Sequence, residues 1–163
     1  MSRRKFIKNT VLGSVASGGI GLSFKNLNFK EFSGPRIIST WNHGFEANKV
    51  AWDNLSSGKG GLTAVEYGVR VSEDDPNEMS VGLGGLPDRT GKVTLDACIM
   101  DNNNDCGSVS FLENIKNPIS VARLVMEKTP HIMLSGKGAY DFAIDQGFKS
   151  QNLLTKKAKE AWQ

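Results

Sequence analysis

Three residues stand where their type and surroundings suit chemistry. Trp41 follows a β-branched run at residues 36–40 and precedes a polar stretch, Asn42-His43-Gly44. A large aromatic at such an edge either walls a pocket or joins the core. An imidazole is suited to proton transfer near neutral pH, yet His43 has no Ser, Cys or acid partner at readable spacing and reads as a solvent-facing side chain. Ser80 opens a glycine-rich segment, Ser80-Val81-Gly82-Leu83-Gly84-Gly85-Leu86-Pro87-Asp88, where a hydroxyl either donates to a substrate or satisfies a turn. Asp88, Asp96 and Asp101 can act in pairs as acid and base, but aspartates at strand ends more often bond nearby backbone.

Several familiar chemistries are excluded by spacing. No Ser/His/Asp triad or G-x-S-x-G elbow is present. The run Gly82-Leu83-Gly84-Gly85 has Pro87 in place of the last glycine of a dinucleotide fingerprint and precedes a strand, whereas that fingerprint follows one. Ser135-Gly136-Lys137-Gly138 lacks the leading Gly and trailing Ser/Thr of a P-loop. Both read as tight backbone turns. With two Cys, two His and no CxxC or HxxxH spacing, no zinc site is legible and no metal is expected. Cys98 and Cys106 flank a turn expected at residues 101–105, so they are either a cross-hairpin disulfide or two small buried thiols.

The elements that position these residues follow from periodicity. Residues 36–40 read as a first strand after Gly34-Pro35. Residues 46–55 carry Ala47, Val50, Ala51 and Leu55 at helical spacing, closed by Ser56-Ser57-Gly58. A second helix follows Gly60-Gly61, with Leu62, Val65, Val69 and Val71 inward, and stops at Glu73-Asp74-Asp75-Pro76. Residues 92–100 alternate, with Val93, Leu95, Ala97 and Ile99 on one face, and pair with 107–112 as a hairpin. Asn117-Pro118 opens a helix through Lys128, with Ile119, Ala122, Val125 and Met126 inward. Residues 131–134 read as a strand, 139–146 as a helix ended by Gly147, and the tail from Thr155 as a basic or frayed helix. This grouping predicts an α+β fold with helices packed on a mainly antiparallel sheet.

The 163 residues are 39% apolar and 23% charged, ordinary for a globular domain. The net charge of +3 is concentrated at the start, where the first 25 residues hold five basic and no acidic side chains, leaving 15 basic against 17 acidic elsewhere. A nucleic-acid partner, which needs a clustered basic face, is excluded on that ground. Ser2-Arg3-Arg4-Lys5-Phe6-Ile7-Lys8, followed by a weakly apolar stretch at 11–22, is a twin-arginine export pattern, too polar for a spanning helix. No Cys follows it to carry a lipid, so no stable membrane anchor is expected. Residues 1–33 are therefore assigned to export signal and linker, residues 34–163 to the folded domain, and the location to the periplasm or beyond.

Five ordered blocks carry a resemblance that covers residues 35–163. They are Ser39-Thr40-Trp41-Asn42, Ala64-Val65-Glu66-x-Gly68, Ser80-Val81-Gly82-x-Gly84-Gly85-x-Pro87-Asp88, Thr94-Leu95-Asp96-Ala97 and Asn117-Pro118-Ile119. In these blocks the chain resembles the first, α-chain half of the glycosylasparaginases, amidases of the N-terminal-nucleophile (Ntn) hydrolase class. The resemblance implies half of a four-layer αββα sandwich, no cofactor, and a partner β chain in an (αβ)₂ assembly. It also implies autoproteolysis, which exposes a threonine whose own α-amine serves as its base. That threonine would cleave the side-chain amide of asparagine or N-glycosyl-asparagine. Trp41 and Ser80 match substrate-contacting positions of the family, and His43 stands where an aromatic such as Phe is common. No Asp-Thr-Ile-Gly-like cleavage motif precedes Gln163, and Thr155 lacks its context. The chain is therefore expected to contain no catalytic residue, to be inactive alone, and to leave an open sheet edge and apolar face. The rival reading is a non-catalytic exported binding protein.

Overall fold

The computed structural model describes residues 34–163; the twin-arginine segment and its apolar stretch lie outside them. Residues Arg36–Gln163 form one compact unit. The elements run α1 (Gly44–Ser56), α2 (Gly61–Asp74), β1 (Thr94–Met100), β2 (Cys106–Glu113), α3 (Pro118–Lys128), β3 (Met133–Ser135), α4 (Gly136–Asp145) and α5 (Lys156–Trp162).

The sheet has the order β1-β2-β3. β1 and β2 are an antiparallel hairpin closed by an Asx-type turn, in which Asp101 accepts from the backbone of Asn103 and Asp105. β3 runs parallel to β2, because α3 carries the chain back between them. The sheet is thus mixed: its long pair is antiparallel as expected, and its third strand is not.

Alternation along β1 turns Leu95 and Ile99 inward, and a register shift opposite residues 95–97 brings Val109 and Leu112 of β2 to the same face. Ile99, Val109 and Leu112 join Ile119, Val121, Ala122 and Val125 of α3 and Ala139 and Ala143 of α4 in one core, while Leu95 packs with Val93 and Leu153. Gly107 permits this layer to close, since a Cβ there would lie 2.1 Å from the Ala122 carbonyl oxygen. Burial of the valine, leucine and isoleucine side chains among these, each contributing about 1.5–3 kcal/mol, is the main force holding sheet and helices together. The opposite sheet face leaves Cys98, Met100 and Met133 exposed.

Two expectations are corrected. Residues 36–40 pair with no strand among the described residues and run extended and mostly exposed. Their β-branched side chains predict a strand, but a strand also needs a nonlocal partner. The second correction concerns α2: Val65 and Val69 face out, while Ala64, Gly68 and Ser72 are buried. Small residues win that face because α1 presents Ala47 and Ala51 against it at close range.

Polar ties join α2 to α3. Glu66 accepts from the Ser120 hydroxyl at 2.5 Å and pairs with Arg123 at 2.8 Å. Glu73 stands in for a missing helix cap: its carboxylate accepts from the Ile119 amide at 3.0 Å and from Asn117 at 3.2 Å, at an N-terminus where Asn117 supplies no side-chain cap. Burial pushes the Glu73 carboxyl up to about 7, while the Ile119 and Asn117 hydrogen bonds pull the other way. A raised folded-state value favours the protonated form. Its stabilisation is fully present below the ordinary value of 4.5 and is lost as pH rises through about 7. Stability is therefore expected to fall by on the order of 2–3 kcal/mol from this group between about pH 5 and pH 8. Urea denaturation at both pH values should show a slope that Glu73→Gln flattens; an unchanged slope in the variant would remove Glu73 as its source.

Candidate functional site

Local turns bring the three singled-out residues to one place. Residues 39–43 descend onto the start of α1, where Gly44 and Phe45 donate to the Trp41 and Asn42 carbonyls. The Ser39 hydroxyl bonds Asn48 of α1, and Gly44 lies so close to Ser39 that a side chain there would collide with it. Trp41 adopts φ 71, a left-handed conformation rare for a bulky residue, and the residue is 81% exposed. Backbone outliers of this kind cluster at functional positions.

The glycine-rich segment is clamped from two sides. Gly82, at φ 59, presses on the end of α2 so tightly that a Cβ would lie 2.1 Å from the Glu73 carbonyl oxygen. Leu83 donates to that same carbonyl at 2.8 Å, and Gly84 donates to Leu153 at 2.8 Å. Leu153 packs with Val93 and Leu95. Ser80 is thereby held at the mouth of a fixed loop. The tight-turn reading of these glycines holds, whereas Ser135-Gly136-Lys137-Gly138 is a strand-to-helix junction with Gly136 at φ 54.

Glu78 is the residue that sequence reasoning missed. Its carboxylate accepts from the Ser80 hydroxyl at 2.5 Å and amide at 3.1 Å, and its other oxygen lies 3.1 Å from His43 Nδ1. The Trp41 and His43 rings are nearly parallel, 10° apart with centroids at 6.5 Å. His43 is therefore not a free surface side chain: its acid partner lies far away in sequence. The carboxyl-x-hydroxyl spacing of Glu78-Met79-Ser80 was the legible half of this arrangement, since a carboxylate two residues before a serine readily closes a local hydrogen bond.

The order of groups decides what this cluster can do. In a nucleophilic triad the imidazole sits between hydroxyl and carboxylate. Here the carboxylate sits between, and the Ser80 hydrogen bond holds Glu78 below its usual range, with His43 adding to that effect. A carboxylate stabilised in its charged form is a weak base, so Ser80 is a hydrogen-bonding group and not an activated nucleophile. Thr155 is likewise occupied, capping α5 by accepting from the Ala158 amide at 3.2 Å. The other aspartates also serve the backbone: Asp88 accepts from Thr90 and Lys92, and Asp96 from the Phe111 amide at 2.8 Å.

A separate groove of about 200 Å³ runs between residues 36–39 and the α1/α2 pair. Ala51, Val65 and Val69 line it; Trp41 does not. Among the described residues no group of three or more His, Cys, Asp or Glu could hold a metal ion, and no helix is long and apolar enough to cross a membrane.

Fold and cluster together define an α+β domain that presents an aromatic and hydrogen-bonding surface with one sheet face open. The asparaginase family model matches residues 38–163. The N(4)-(beta-N-acetylglucosaminyl)-L-asparaginase of Elizabethkingia miricola is 55% identical over 165 residues, covering 99% of this chain and 48% of that protein. Those of Mus musculus and Rattus norvegicus are 43% and 44% identical, over 77% and 74% of this chain and 36% and 35% of their own. The chain belongs to the glycosylasparaginase family. It spans about half the length of the bacterial relative and about a third of the mammalian ones.

Proposed function

We propose that residues 34–163 are the α-chain portion of an amidohydrolase that cleaves the side-chain amide of asparagine or N-glycosyl-asparagine. The nucleophile is an N-terminal threonine, exposed by autoproteolysis, in a second segment that the described residues do not supply. The observation that carries this reading is the Trp41–His43–Glu78–Ser80 cluster, a wall with hydrogen-bonding capacity and no activated nucleophile of its own. Trp41 offers its exposed face to the substrate, Ser80 its hydroxyl, and His43 a weaker contact steadied by Glu78. The open sheet face is where the β chain's sheet would lie, completing a four-layer sandwich and an (αβ)₂ assembly. Export through the twin-arginine route, which carries folded proteins, suits a precursor that must fold before it matures. Its test is cell fractionation with Arg3 and Arg4 replaced by Lys, where unchanged export would count against it.

The site reading is tested by variants in a reconstituted protein, made by adding the part of the Elizabethkingia relative that this chain does not match. Trp41→Ala is expected to raise KM for N-glycosyl-asparagine roughly 10–100-fold. Because the residue is already 81% exposed, the same change should leave Tm nearly unmoved. An unaltered KM would take Trp41 out of the site. Equal ligand affinity with and without the added part would favour the rival binding-protein reading.

A further inference from the structure

Cys98 and Cys106 are two free thiols whose sulfur atoms lie 3.5 Å apart. They occupy neighbouring rows of the β1/β2 ladder on one face: Cys98 stands opposite Ser108, and Cys106 opposite Met100. A diagonal pair of this kind ordinarily spans more than a disulfide allows. Here the side chains have converged across the twisted hairpin, and each thiol is the other's hydrogen-bonding partner. Cys106 is the first residue of β2, next to the turn at 101–105, where the backbone has room to adjust. Cys98 is exposed and Cys106 is partly so, giving an oxidant access to both.

We propose that Cys98 and Cys106 are a redox couple that closes into a disulfide across the hairpin. With a small-molecule disulfide such as oxidised glutathione as oxidant, the Cys98 thiolate attacks one of its sulfurs and expels a glutathione thiolate. Cys106 then attacks the Cys98 sulfur of the mixed disulfide and expels the second glutathione. Two electrons and two protons pass from the protein to the oxidant, and one S–S bond replaces another. The bridge ties the far end of β1 to β2 and restricts the unfolded chain, which stabilises the hairpin. The inference does not depend on the amidase reading.

Both cysteines fall in a single tryptic peptide, Val93 to Lys116. After equilibration of the full chain with oxidised glutathione, that peptide is expected to lose two hydrogens and to resist alkylation at both positions. Tm should rise by roughly 5 °C and return on reduction. Cys106→Ser should retain a glutathione adduct on Cys98 and show no redox-dependent Tm. Full alkylation of both thiols, persistent mixed disulfides in the unsubstituted chain, or disulfide-linked dimers would each overturn the proposal.

Discussion

Gly107→Ala is expected to cost about 3–5 kcal/mol and to leave little folded protein at 37 °C. The position lies where β2 meets α3, and the added carbon would come within 2.1 Å of the Ala122 carbonyl oxygen and 2.6 Å of the Met126 amide nitrogen. Both are backbone atoms inside a helix, so no rotamer change relieves the collision. The helix would have to lift from the sheet, and with it Val121, Ala122 and Val125, all fully buried. Gly138→Ala is the matching control. That glycine sits in α4 with nothing within 4 Å of a new Cβ, and alanine there should stabilise by about 0.5–1 kcal/mol. Chemical denaturation of the two variants separates a packing collision from a general intolerance of substitution. A mild effect at Gly107 would mean that α3 does not rest on β2 as described.

The second large effect concerns activity. The 163-residue chain by itself is expected to release no aspartate above background from asparagine or N-glycosyl-asparagine. The cause is the wiring of the cluster. Ser80 donates its hydrogen bond to a carboxylate held in its charged form, His43 sits on the far side of that carboxylate, and Thr155 is engaged as a helix cap. Ser80 meets only a weak carboxylate base and neither hydroxyl has an imidazole or amine beside it, and an amide is among the less reactive carbonyls. Losing the nucleophile and its base from a hydrolase costs several orders of magnitude in kcat. A coupled assay for aspartate, run over hours at high protein concentration, makes the comparison. Glu78→Gln should not create activity, because it removes charge without moving the imidazole between the other two groups.

Much of the framework was legible in the sequence. The Asn117-Pro118 start of α3, the β1/β2 hairpin and the stop of α2 at Asp74 follow from local rules about proline, turn residues and alternation. What escaped was set by distant partners. Val65 and Val69 have the spacing of an inward stripe, yet the close fit of Ala64 and Gly68 against α1 decided which face is buried. Residues 36–40 have strand-forming side chains but pair with no strand among the described residues. At the site, type and context singled out Trp41, His43 and Ser80. Glu78, the carboxylate that joins the last two, emerged only when the loop and the start of α1 were brought together.

The family blocks also take on a physical division of labour. Glu66 and Asn117 hold α2 to α3, and Gly82 seats the loop on α2, so in three of the five blocks these residues serve the scaffold. The block around Trp41 is different: its indole buries little, and its backbone is held in an unfavourable conformation. Such a residue contributes little to stability, which supports the proposal that it serves binding.

The most direct test is complementation. The purified chain is mixed or co-expressed with the part of the Elizabethkingia relative that it does not match, and aspartate release from N-glycosyl-asparagine is followed for each part alone and for both together. Turnover only in the combined sample, lost when the threonine proposed as nucleophile in the second part is replaced by alanine, is the predicted result. Turnover by this chain alone, or none from a combined sample that has demonstrably assembled and matured, would contradict the account.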